Sequence, residues 1–539
     1  TIIGDGHKLI FGKGANLGTL NGKLSGLTIE SSGDALFISI SEKAAIEDVT
    51  LNVNADISTT EGTAFLALTN FGSIDGLTLN ASGKINALAK STQATDELTF
   101  GGIVQNNYYK FDVAAQTVYR GVIKNCNVNY SQFSLVGQAG ANAAFGAVAG
   151  VNNGFLQDCK VAGEIIADTF DLAGICTTNN ALLSFNVNEA NLSQASADTG
   201  WNPITCGIVI TNAYAVENCQ NKGKISSVSS CPQFEIQEGT DPATAAAGIA
   251  YLNRGTTMTP YIVNSSNFGN IECKAQYRNT YAAGVCISSS GGMDSCKNNG
   301  DVSVKTANGM DAYVGGIATI VYGNISKSLN RGAITAVGGK EAYIGGIAAQ
   351  SCVTIANCLS SGDIDATAKK VYAGGILGVS EVVRSGYYIY CGIADYCISQ
   401  VKMNVNSTDG APVYAGGITG YVKEMGLENN DSMTYFGGCV TNCYFTGNVA
   451  SGVSYFGNIV GVCGVNTYEN NLYNTSNGVE YYNFDGNYYL GNSSKAFGAT
   501  VTDDDSFAAV EDKGADIATS EFIQNTEIYK TILKNCGLQ

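Results

Sequence analysis

The sequence predicts an all-β chain folded as a right-handed parallel β-helix of roughly a dozen coils, with a C-terminal helical cap. First, one phrase returns about every 30 residues, as YVGGIA at Tyr313, YIGGIA at Tyr343 and YAGGIL at Tyr372. Second, a small residue, usually cysteine, stands four residues before a glycine at seven places. Third, the stretches between these landmarks alternate apolar and polar residues, as strands do. Such a chain is a stack of similar units.

The coil length follows from aligning the residue that precedes Ile or Val in each glycine phrase. Successive gaps range from 28 to 44 residues. The shortest gaps define the bare coil, and the surplus is expected in loops inserted into coils that include 175–206, 376–416 and 418–457. The aligned positions are Gly102, Gly146, Gly174, Gly207, Gly248, Gly284, Gly316, Gly346, Gly375, Gly417 and Asn458.

The many cysteines are explained more simply as buried packing residues than as metal ligands or disulfides. One histidine, an odd total of 17 cysteines and the lack of a CxxC motif argue against a zinc site and a full disulfide framework. We expect a column of small buried thiols, with serine in equivalent slots and asparagine in the preceding turn. Pairing of Cys391 with Cys397, or of Cys439 with Cys463, stays open. No metal or cofactor is predicted. The column comprises Cys159, Cys219, Ser265, Cys296, Ser328, Cys358 and Cys443.

Three segments are expected along the chain. Residues 1–62 form N-terminal coils, residues 63–500 form the repeats with inserted loops, and residues 501–539 form a partly helical cap. The helical segment is predicted from Ser520, as N-cap, to Asn535, with Gly537 just past its end. Its apolar side would comprise Ile523, Ile528, Ile532 and Leu533.

Charge and hydropathy exclude several partners. The 46 acidic residues outnumber the 29 basic ones and give a net charge of −17, which repels nucleic acid and anionic lipid. No apolar run approaches the ~18 residues of a membrane span, so membrane insertion by this segment is not expected. Because Thr1 opens in mid-phrase, we expect a trimmed piece that lacks its signal or anchor.

Two stretches, FLALTNFGSIDGLTLNASGKI (65–85) and AGVNNGFLQDCKVAGEI (149–165), resemble the GLUG-repeat family of bacterial surface and secreted proteins. The likeness extends over roughly residues 1–500. It implies a parallel β-helix that is secreted or carried on the cell surface, often in adhesin-like proteins. It implies no catalytic activity.

Aromatic residues in the inserts are the predicted ligand-binding residues, because loops on a rigid scaffold commonly carry function. A second aromatic set opens the glycine phrases: Tyr281, Tyr313, Tyr343, Tyr372, Tyr414 and Tyr455. This column is either an outward strip that could stack on sugar rings or a packed aromatic ladder. The insert candidates are Tyr108, Tyr109, Trp201, Tyr387, Tyr388, Tyr390, Tyr481 and Tyr482.

The function expected from these observations is a non-enzymatic surface scaffold or adhesin that binds a glycan or a host or surface protein. One alternative is a polysaccharide lyase or hydrolase with converging outward carboxylates, but Asp301 and Asp363 are expected two coils apart. The only imidazole, His7, lies outside any repeat. A further alternative is a fibre subunit that self-associates through its solenoid ends. The slot after the glycine, expected to face outward, holds Lys84, Glu164, Lys224, Asn270, Asp301, Ala333, Asp363 and Asn448.

Overall fold

A computed structural model gives the fold as two compact units, Thr1–Arg254 with Tyr261–Cys273, and Gly255–Pro260 with Lys274–Gln539. The structure describes residues 2–3, 8–12, 14, 16–32, 35–89, 97–197, 202–231, 243–255, 260–307, 309–385, 388–423, 434–435, 439–449, 455–463, 487–489, 497–501, 507–508, 515–518 and 520–538.

Each unit is a parallel β-helix whose coils pass through four sheets, which confirms the predicted all-β solenoid. One coil illustrates the order: Ala312–Gly315 lies in sheet 1, Ala318–Val321 in sheet 2 and Ile325–Ser326 in sheet 3. Leu329–Asn330 and Ile334–Val337 then form sheet 4. Equivalent residues of neighbouring coils pair in register.

The strands of the first unit are distributed over the four sheets. Sheet 1 contains Leu98–Gly101, Ala143–Gly146, Asp171–Ala173, Ile204–Cys206 and Ala243–Ala247. Sheet 2 contains Thr19–Leu20, Phe37–Ile40, Ala67–Asn70, Val104–Asn107, Ala149–Asn152, Cys176–Asn179, Val209–Asn212 and Ala250–Asn253. Sheet 3 contains Ile2–Ile3, Lys23–Ser25, Ala45–Glu47, Ser73–Asp75, Val122–Lys124, Phe155–Gln157, Leu182–Ser184, Ala215–Glu217 and Pro260–Val263. Sheet 4 contains Lys8–Phe11, Thr28–Ser31, Thr50–Thr59, Thr78–Ala87, Asn127–Gly137, Lys160–Asp168, Val187–Asn188, Asn191–Ser196, Gln220–Asn221, Ile225–Ser229, Ser266–Asn267 and Ile271–Ala275.

The second unit follows the same order. Sheet 1 contains Asn279–Ala283, Ala312–Gly315, Glu341–Gly345, Lys370–Gly374, Val413–Gly416 and Tyr455–Gly457. Sheet 2 contains Cys286–Ser289, Ala318–Val321, Ala348–Ser351, Leu377–Ser380, Thr419–Val422, Val460–Cys463, Phe497–Val501 and Phe507–Ala508. Sheet 3 contains Gly292–Asp294, Ile325–Ser326, Thr354–Ala356, Ile393–Asp395 and Cys439–Thr441. Sheet 4 contains Lys297–Asn298, Val302–Lys305, Leu329–Asn330, Ile334–Val337, Leu359–Ser360, Ile364–Ala368, Ile398–Ser399, Lys402–Ser407, Tyr444–Phe445, Asn448–Val449, Asn487–Tyr489 and Ala515–Ile517.

The glycine pair between sheets 1 and 2 is required for two separate reasons. A Cβ on Gly315 would collide with the carbonyl oxygen of Ala318, where the chain turns sharply. A Cβ on Gly316 would enter the core and collide with the backbone of Gly346 and the side chain of Asn330. The two glycines of the phrase are therefore required because backbone and side chains inside the stack approach them too closely for a Cβ.

One position in the sequence alignment is wrong by a single residue. Gly146 pairs with Gly101 and with Ala173, so it is the first residue of its pair, and Ala147 takes the second place. The error arises because alanine precedes Val148 at this coil, whereas glycine precedes the Ile or Val of every other aligned coil except that of Asn458. The misplacement shifts one boundary and leaves the coil assignment intact.

The predicted cysteine column is present and is longer than expected. Each small side chain follows a residue in the left-handed backbone region, such as Asn218 (φ 55°) or Asn357 (φ 56°), at the corner between sheets 3 and 4. Asparagine suits this conformation better than most residues. Cys126, Asn186 and Cys397 also occupy the column. Sequence alignment missed them because no glycine follows four residues later.

Hydrogen bonds explain why cysteine, serine and asparagine are interchangeable there. The Cys159 thiol donates to the Gln157 carbonyl at 3.3 Å, and the backbone N–H of Cys159 donates to Asn186 Oδ1 of the next coil at 3.0 Å. The 15 cysteines whose side chains are described are all buried thiols, Cys391 and Cys397 among them. Burial raises the pKa of the Cys159 thiol, which keeps it in the unreactive neutral form.

A second column, of buried asparagines, ends successive strands of sheet 2 in the first unit. Each side-chain amide donates to the Oδ1 of the next at 2.8–2.9 Å. Because an unsatisfied buried amide would be costly, the ladder fixes the register of neighbouring coils. It comprises Asn70, Asn107, Asn152, Asn179, Asn212 and Asn253.

The C-terminal segment is helical as predicted, but its form and position differ from expectation. It consists of α1 (Ser520–Asn525) and α2 (Glu527–Asn535), separated at Thr526, whose hydroxyl caps α2 by accepting from the Tyr529 N–H at 3.2 Å. Ser520 is therefore the first helical residue and not the cap of one long helix. Gly537 adopts a positive φ of 72° just past the end.

These helices lie along the outer face of sheet 4 in the second unit and do not simply cover the last coil. Ile523 and Ile532 are buried, and Ile528 and Leu533 are packed beside them, as predicted. The helices cover outward apolar residues that come from several coils, and burying this strip drives their docking. The covered residues are Leu329, Leu359, Ile398, Tyr444 and Tyr488.

Substitution of Gly316 by alanine should lower the free energy of unfolding by about 1–3 kcal/mol, because the new methyl group must displace backbone and Asn330 in a packed core. Gly12→Ala is the matched control, since a Cβ there meets nothing within 4 Å. Thermal unfolding of both variants checks this. Equal melting temperatures for the two variants would contradict the packing argument.

Candidate binding site

A group of exposed aromatic residues lies on a hairpin inserted at the corner between sheets 2 and 3. Strand Tyr109–Asp112 pairs antiparallel with Thr117–Arg120. The neighbouring coil crosses the same corner directly, from Asn152 to Phe155. This insert accounts for most of the difference between the 45-residue separation of Asn107 and Asn152 and the 27 residues of the next pair in the ladder.

Local sequence determines the hairpin turn. The Asp112 carboxylate accepts from the backbone N–H groups of Ala114 and Ala115 at 2.9 and 3.0 Å, as aspartate commonly does at turns. Gln116 adopts a positive φ of 50°, and its side-chain amide donates to the Val113 carbonyl at 2.7 Å. The hairpin therefore has a defined shape.

One face of the hairpin is apolar and open to solvent. Cross-strand pairing puts Tyr109 opposite Arg120, and Phe111 opposite Val118. The exposed fractions are 47% for Tyr109, 50% for Phe111, 47% for Val118 and 71% for Val113 at the tip. Large apolar side chains grouped in this way on a surface commonly mark an interaction site. We call this surface the aromatic hairpin.

Ring contacts connect the aromatic hairpin to the solenoid. The Tyr108 and Tyr109 rings stack at 5.1 Å with an interplanar angle of 6°. Tyr108 also meets Phe71 edge to face at 6.3 Å. The Arg120 guanidinium lies 5.5 Å from the centre of the Phe155 ring. Stacked and cation–π contacts of this kind orient the base of the hairpin.

The opposite face of the hairpin is polar and is fixed by an ion pair. Lys110 Nζ lies 3.2 Å from the Glu42 carboxylate. The hydrogen bond from its own backbone N–H and the one from Lys110 hold the pKa of Glu42 below its usual range. The ion pair therefore persists at neutral pH and separates a charged face from the apolar one.

The other predicted site residues are only partly described. Tyr388 and Tyr390 lie in strand Tyr388–Cys391, which pairs with Val382–Ser385 in a second hairpin at the same type of corner. The Tyr390 side chain is exposed, while nothing is described of the Tyr388 side chain. The candidates outside the described residues are Trp201, Tyr387, Tyr481 and Tyr482.

The residues predicted from the sequence include Tyr108 and Tyr109 but not the other exposed residues of the aromatic hairpin. Phe111, Val113 and Val118 were not singled out, although their alternation with polar neighbours is visible in YKFDVAAQTVYR. Alternation predicts a strand with one apolar face. It does not tell whether that face is covered, which depends on where the insert leaves the solenoid.

The tyrosine column of the second unit is a stacked ladder. Neighbouring ring centres from Tyr281 to Tyr455 are 4.7, 4.7, 4.9, 5.2 and 5.6 Å apart. Each inner ring thus has both faces against other tyrosines, and no inner face is left for a sugar. Tyr421 and Val379 pack against the ladder near Tyr372 and Tyr414. The geometry favours the structural interpretation of this column.

Charged groups border the tyrosine ladder. The Tyr343 hydroxyl donates to the Glu341 carboxylate. Lys370 Nζ lies 4.9 Å from the centre of the Tyr372 ring and 5.3 Å from that of Tyr414. Burial raises the pKa values of Tyr343 and Tyr372, and it raises the pKa of Tyr414 to about 12.

The outward carboxylates Asp301 and Asp363 do not lie on adjacent coils. Asp301 and Asp363 are both exposed and occupy coils separated by the coil of Ala333, as expected. Among the described residues, no group of three or more His, Cys, Asp or Glu side chains could hold a metal ion. In the same part of the chain, no helix is long and apolar enough to cross a membrane.

Rising pH should unfold the second unit through its tyrosine ladder. Above pH 10, the usual tyrosine pKa, the unfolded chain loses phenol protons that the folded chain retains, so stability falls as the pH rises toward 12. Melting temperature and phenolate absorbance measured together across this range test the prediction. In the triple variant Tyr343→Phe, Tyr372→Phe and Tyr414→Phe the decline should be shallower, and an unchanged slope would contradict the assignment.

Comparisons of the chain with protein-family models, with curated proteins and with solved structures found no match. The resemblance to GLUG repeats therefore stays a prediction. The functional assignment rests on the chemistry of this chain's own surface.

Proposed function

We propose that the protein is a non-enzymatic scaffold of the extracellular or cell-surface kind, which binds a partner protein through the aromatic hairpin. The single observation that carries this proposal is the exposure of Tyr109, Phe111 and Val118 on one hairpin face, beside the exposed Val113 at the turn. Aromatic residues with an adjacent arginine, as Arg120 is to Tyr109, are the residue types that dominate binding energy in protein interfaces.

A scaffold role accords with the rest of the described chain. Equivalent small residues, glycines and buried amides fill successive coils, which gives a rigid support from which a loop can project. Asp301 and Asp363, in the outward slot of sheet 4, lie two coils apart on an exposed sheet face, whereas a glycosidase has two carboxyl groups that flank the scissile bond in one cleft. A scaffold that displays a binding hairpin requires no such cleft.

The composition of the aromatic hairpin indicates a protein partner and not a glycan. Val113, Phe111 and Val118 present aliphatic and aromatic bulk, whereas saccharide recognition needs donors and acceptors placed beside the ring. Lys110 lies on the opposite face and is engaged by Glu42. An apolar centre with a charged border is the composition of a protein interface.

Replacing Tyr109, Phe111 and Val118 together by serine should weaken binding to a protein partner by about 100-fold or more, because central aromatic residues contribute about 2 kcal/mol or more each. The measurement is binding of the purified chain to an array of secreted and surface proteins, followed by titration of each protein bound. A polysaccharide-degradation screen on the same preparation tests the absence of catalysis.

The matched control, Tyr119→Ser, changes the opposite face of the same hairpin and keeps the ion pair of Lys110 with Glu42. This variant should bind within about twofold of the wild type, a difference below about 0.5 kcal/mol. Equal loss in both variants would indicate hairpin unfolding and not a contact face. Release of oligosaccharides by the wild type would overturn the non-enzymatic assignment.

A further inference from the structure

A second surface of the first unit carries an exposed ladder of amides. On the outer face of sheet 4, Asn80 Nδ2 donates to Asn52 Oδ1 at 2.8 Å, and Asn129 Nδ2 donates to Asn80 Oδ1 at 2.9 Å. Asn52 Nδ2 in turn donates to the Glu30 carboxylate at 2.9 Å. One polar column thus continues across four consecutive coils.

Strand parity explains why this column faces outward. Leu51, Leu79 and Val128, each one residue before an asparagine of the ladder, are fully buried in the core. Their neighbours must then point to solvent, since successive side chains of a strand alternate between faces. Thr28, Thr50 and Thr78 form a parallel column two residues earlier.

The ladder is the floor of a shallow groove of about 420 Å³. Ser131, which also lines it, lies where the register of strand Asn127–Gly137 is shifted by a β-bulge, a feature that commonly re-aims side chains at functional surfaces. The residues that carry the groove are Glu30, Asn52, Asn54, Asn80, Ser82 and Asn129. We call this surface the amide groove.

The amide groove retains hydrogen-bonding capacity. A primary amide has two N–H donors and two acceptor lone pairs, and each link of the ladder uses one donor and one acceptor. Asn80 therefore has a second N–H and a second lone pair directed away from its ladder partners. Repetition of this arrangement at each coil, about 4.8 Å apart, gives a linear array of paired donors and acceptors.

The charge of the amide groove is balanced. Glu30 is the only ionisable residue in its lining, and Lys8 Nζ lies 3.0 Å from the Glu30 carboxylate. The surface therefore offers no net charge to an anionic or cationic ligand. It also lacks the apolar centre of a protein interface, because Val53 and Ala81 are its only apolar lining residues and both point into the core.

We propose that the amide groove binds a neutral linear polysaccharide whose chain runs across the coils. Hydroxyl groups both donate and accept, as the free amide positions do, and a polymer presents them at regular intervals to successive coils. A single sugar would meet one coil only, so affinity must grow with chain length. This site lies apart from the aromatic hairpin and does not depend on the proposed protein partner.

The test uses the intact chain and neutral oligosaccharides of increasing length, from β-linked glucan, xylan and mannan, titrated by calorimetry. The wild type should bind one of these polymers with an affinity that rises with length until the groove is spanned. The triple variant Asn52→Ala, Asn80→Ala and Asn129→Ala should lose affinity by about tenfold or more, since three hydrogen-bonding groups are removed.

Asn86→Ala is the matched control, because Asn86 makes a comparable exposed hydrogen bond to Ser58 Oγ at 3.1 Å on the same strand, outside the groove. Its affinity should stay within about twofold of the wild type. Melting temperatures of all variants establish that the coils are intact.

The proposal is overturned if no neutral polymer binds, if affinity is independent of length, or if the triple variant binds like the control. The hairpin serine variant should bind the polysaccharide normally, which separates this result from the protein-binding test.

Discussion

Each coil of this chain hydrogen-bonds through its backbone to the coils before and after it, and parallel register places equivalent side chains about 4.8 Å apart. Every other feature depends on that spacing. The buried side chain of Asn107 is satisfied by the next coil, where its amide donates to Asn152 Oδ1 at 2.8 Å and to the Phe155 carbonyl at 3.2 Å. A residue that suits one coil must therefore suit its neighbours, and the chain repeats because its interactions repeat.

The same constraint explains the cooperation between glycine and asparagine. Gly316 lacks the Cβ that would collide with Asn330, and the Asn330 amide in turn accepts from Asn298 at 2.8 Å. The glycine phrase after sheet 1 and the asparagine on sheet 4 thus contact each other across the core and form one packing arrangement. Where serine replaces asparagine, at Ser360, the facing Gly346 is retained for the same reason. The corner between sheets 2 and 3 accepts an insert such as the aromatic hairpin, while the strands on both sides of it stay paired with the neighbouring coil.

Tyrosine illustrates how position decides what a side chain can do. In the ladder from Tyr281 to Tyr455, neighbouring ring centres are 4.7–5.6 Å apart, so the ring faces contact other tyrosines and stabilise the stacking of the coils. On the hairpin, Tyr109 shares one face with Tyr108 and leaves 47% of its surface to solvent. Asparagine also occurs in both environments. Asn152 belongs to a ladder that is buried in the core, whereas Asn80 belongs to a similar ladder that is exposed to solvent.

The sequence by itself determined the solenoid, because a period of about 30 residues with glycine and small residues at fixed offsets has few other structural solutions. It also determined the thiol column and the C-terminal helical segment, since both depend on local pattern. Only the tertiary structure decided which apolar faces of the strands and helices are buried and which are exposed. The alternation in Tyr109, Phe111 and Val113 looks like that of any strand, and exposure follows from the corner at which the insert departs. Likewise, α1 and α2 were placed along sheet 4 by the apolar strip from Leu329 to Tyr488, whose residues are far apart in sequence and meet only in the stack.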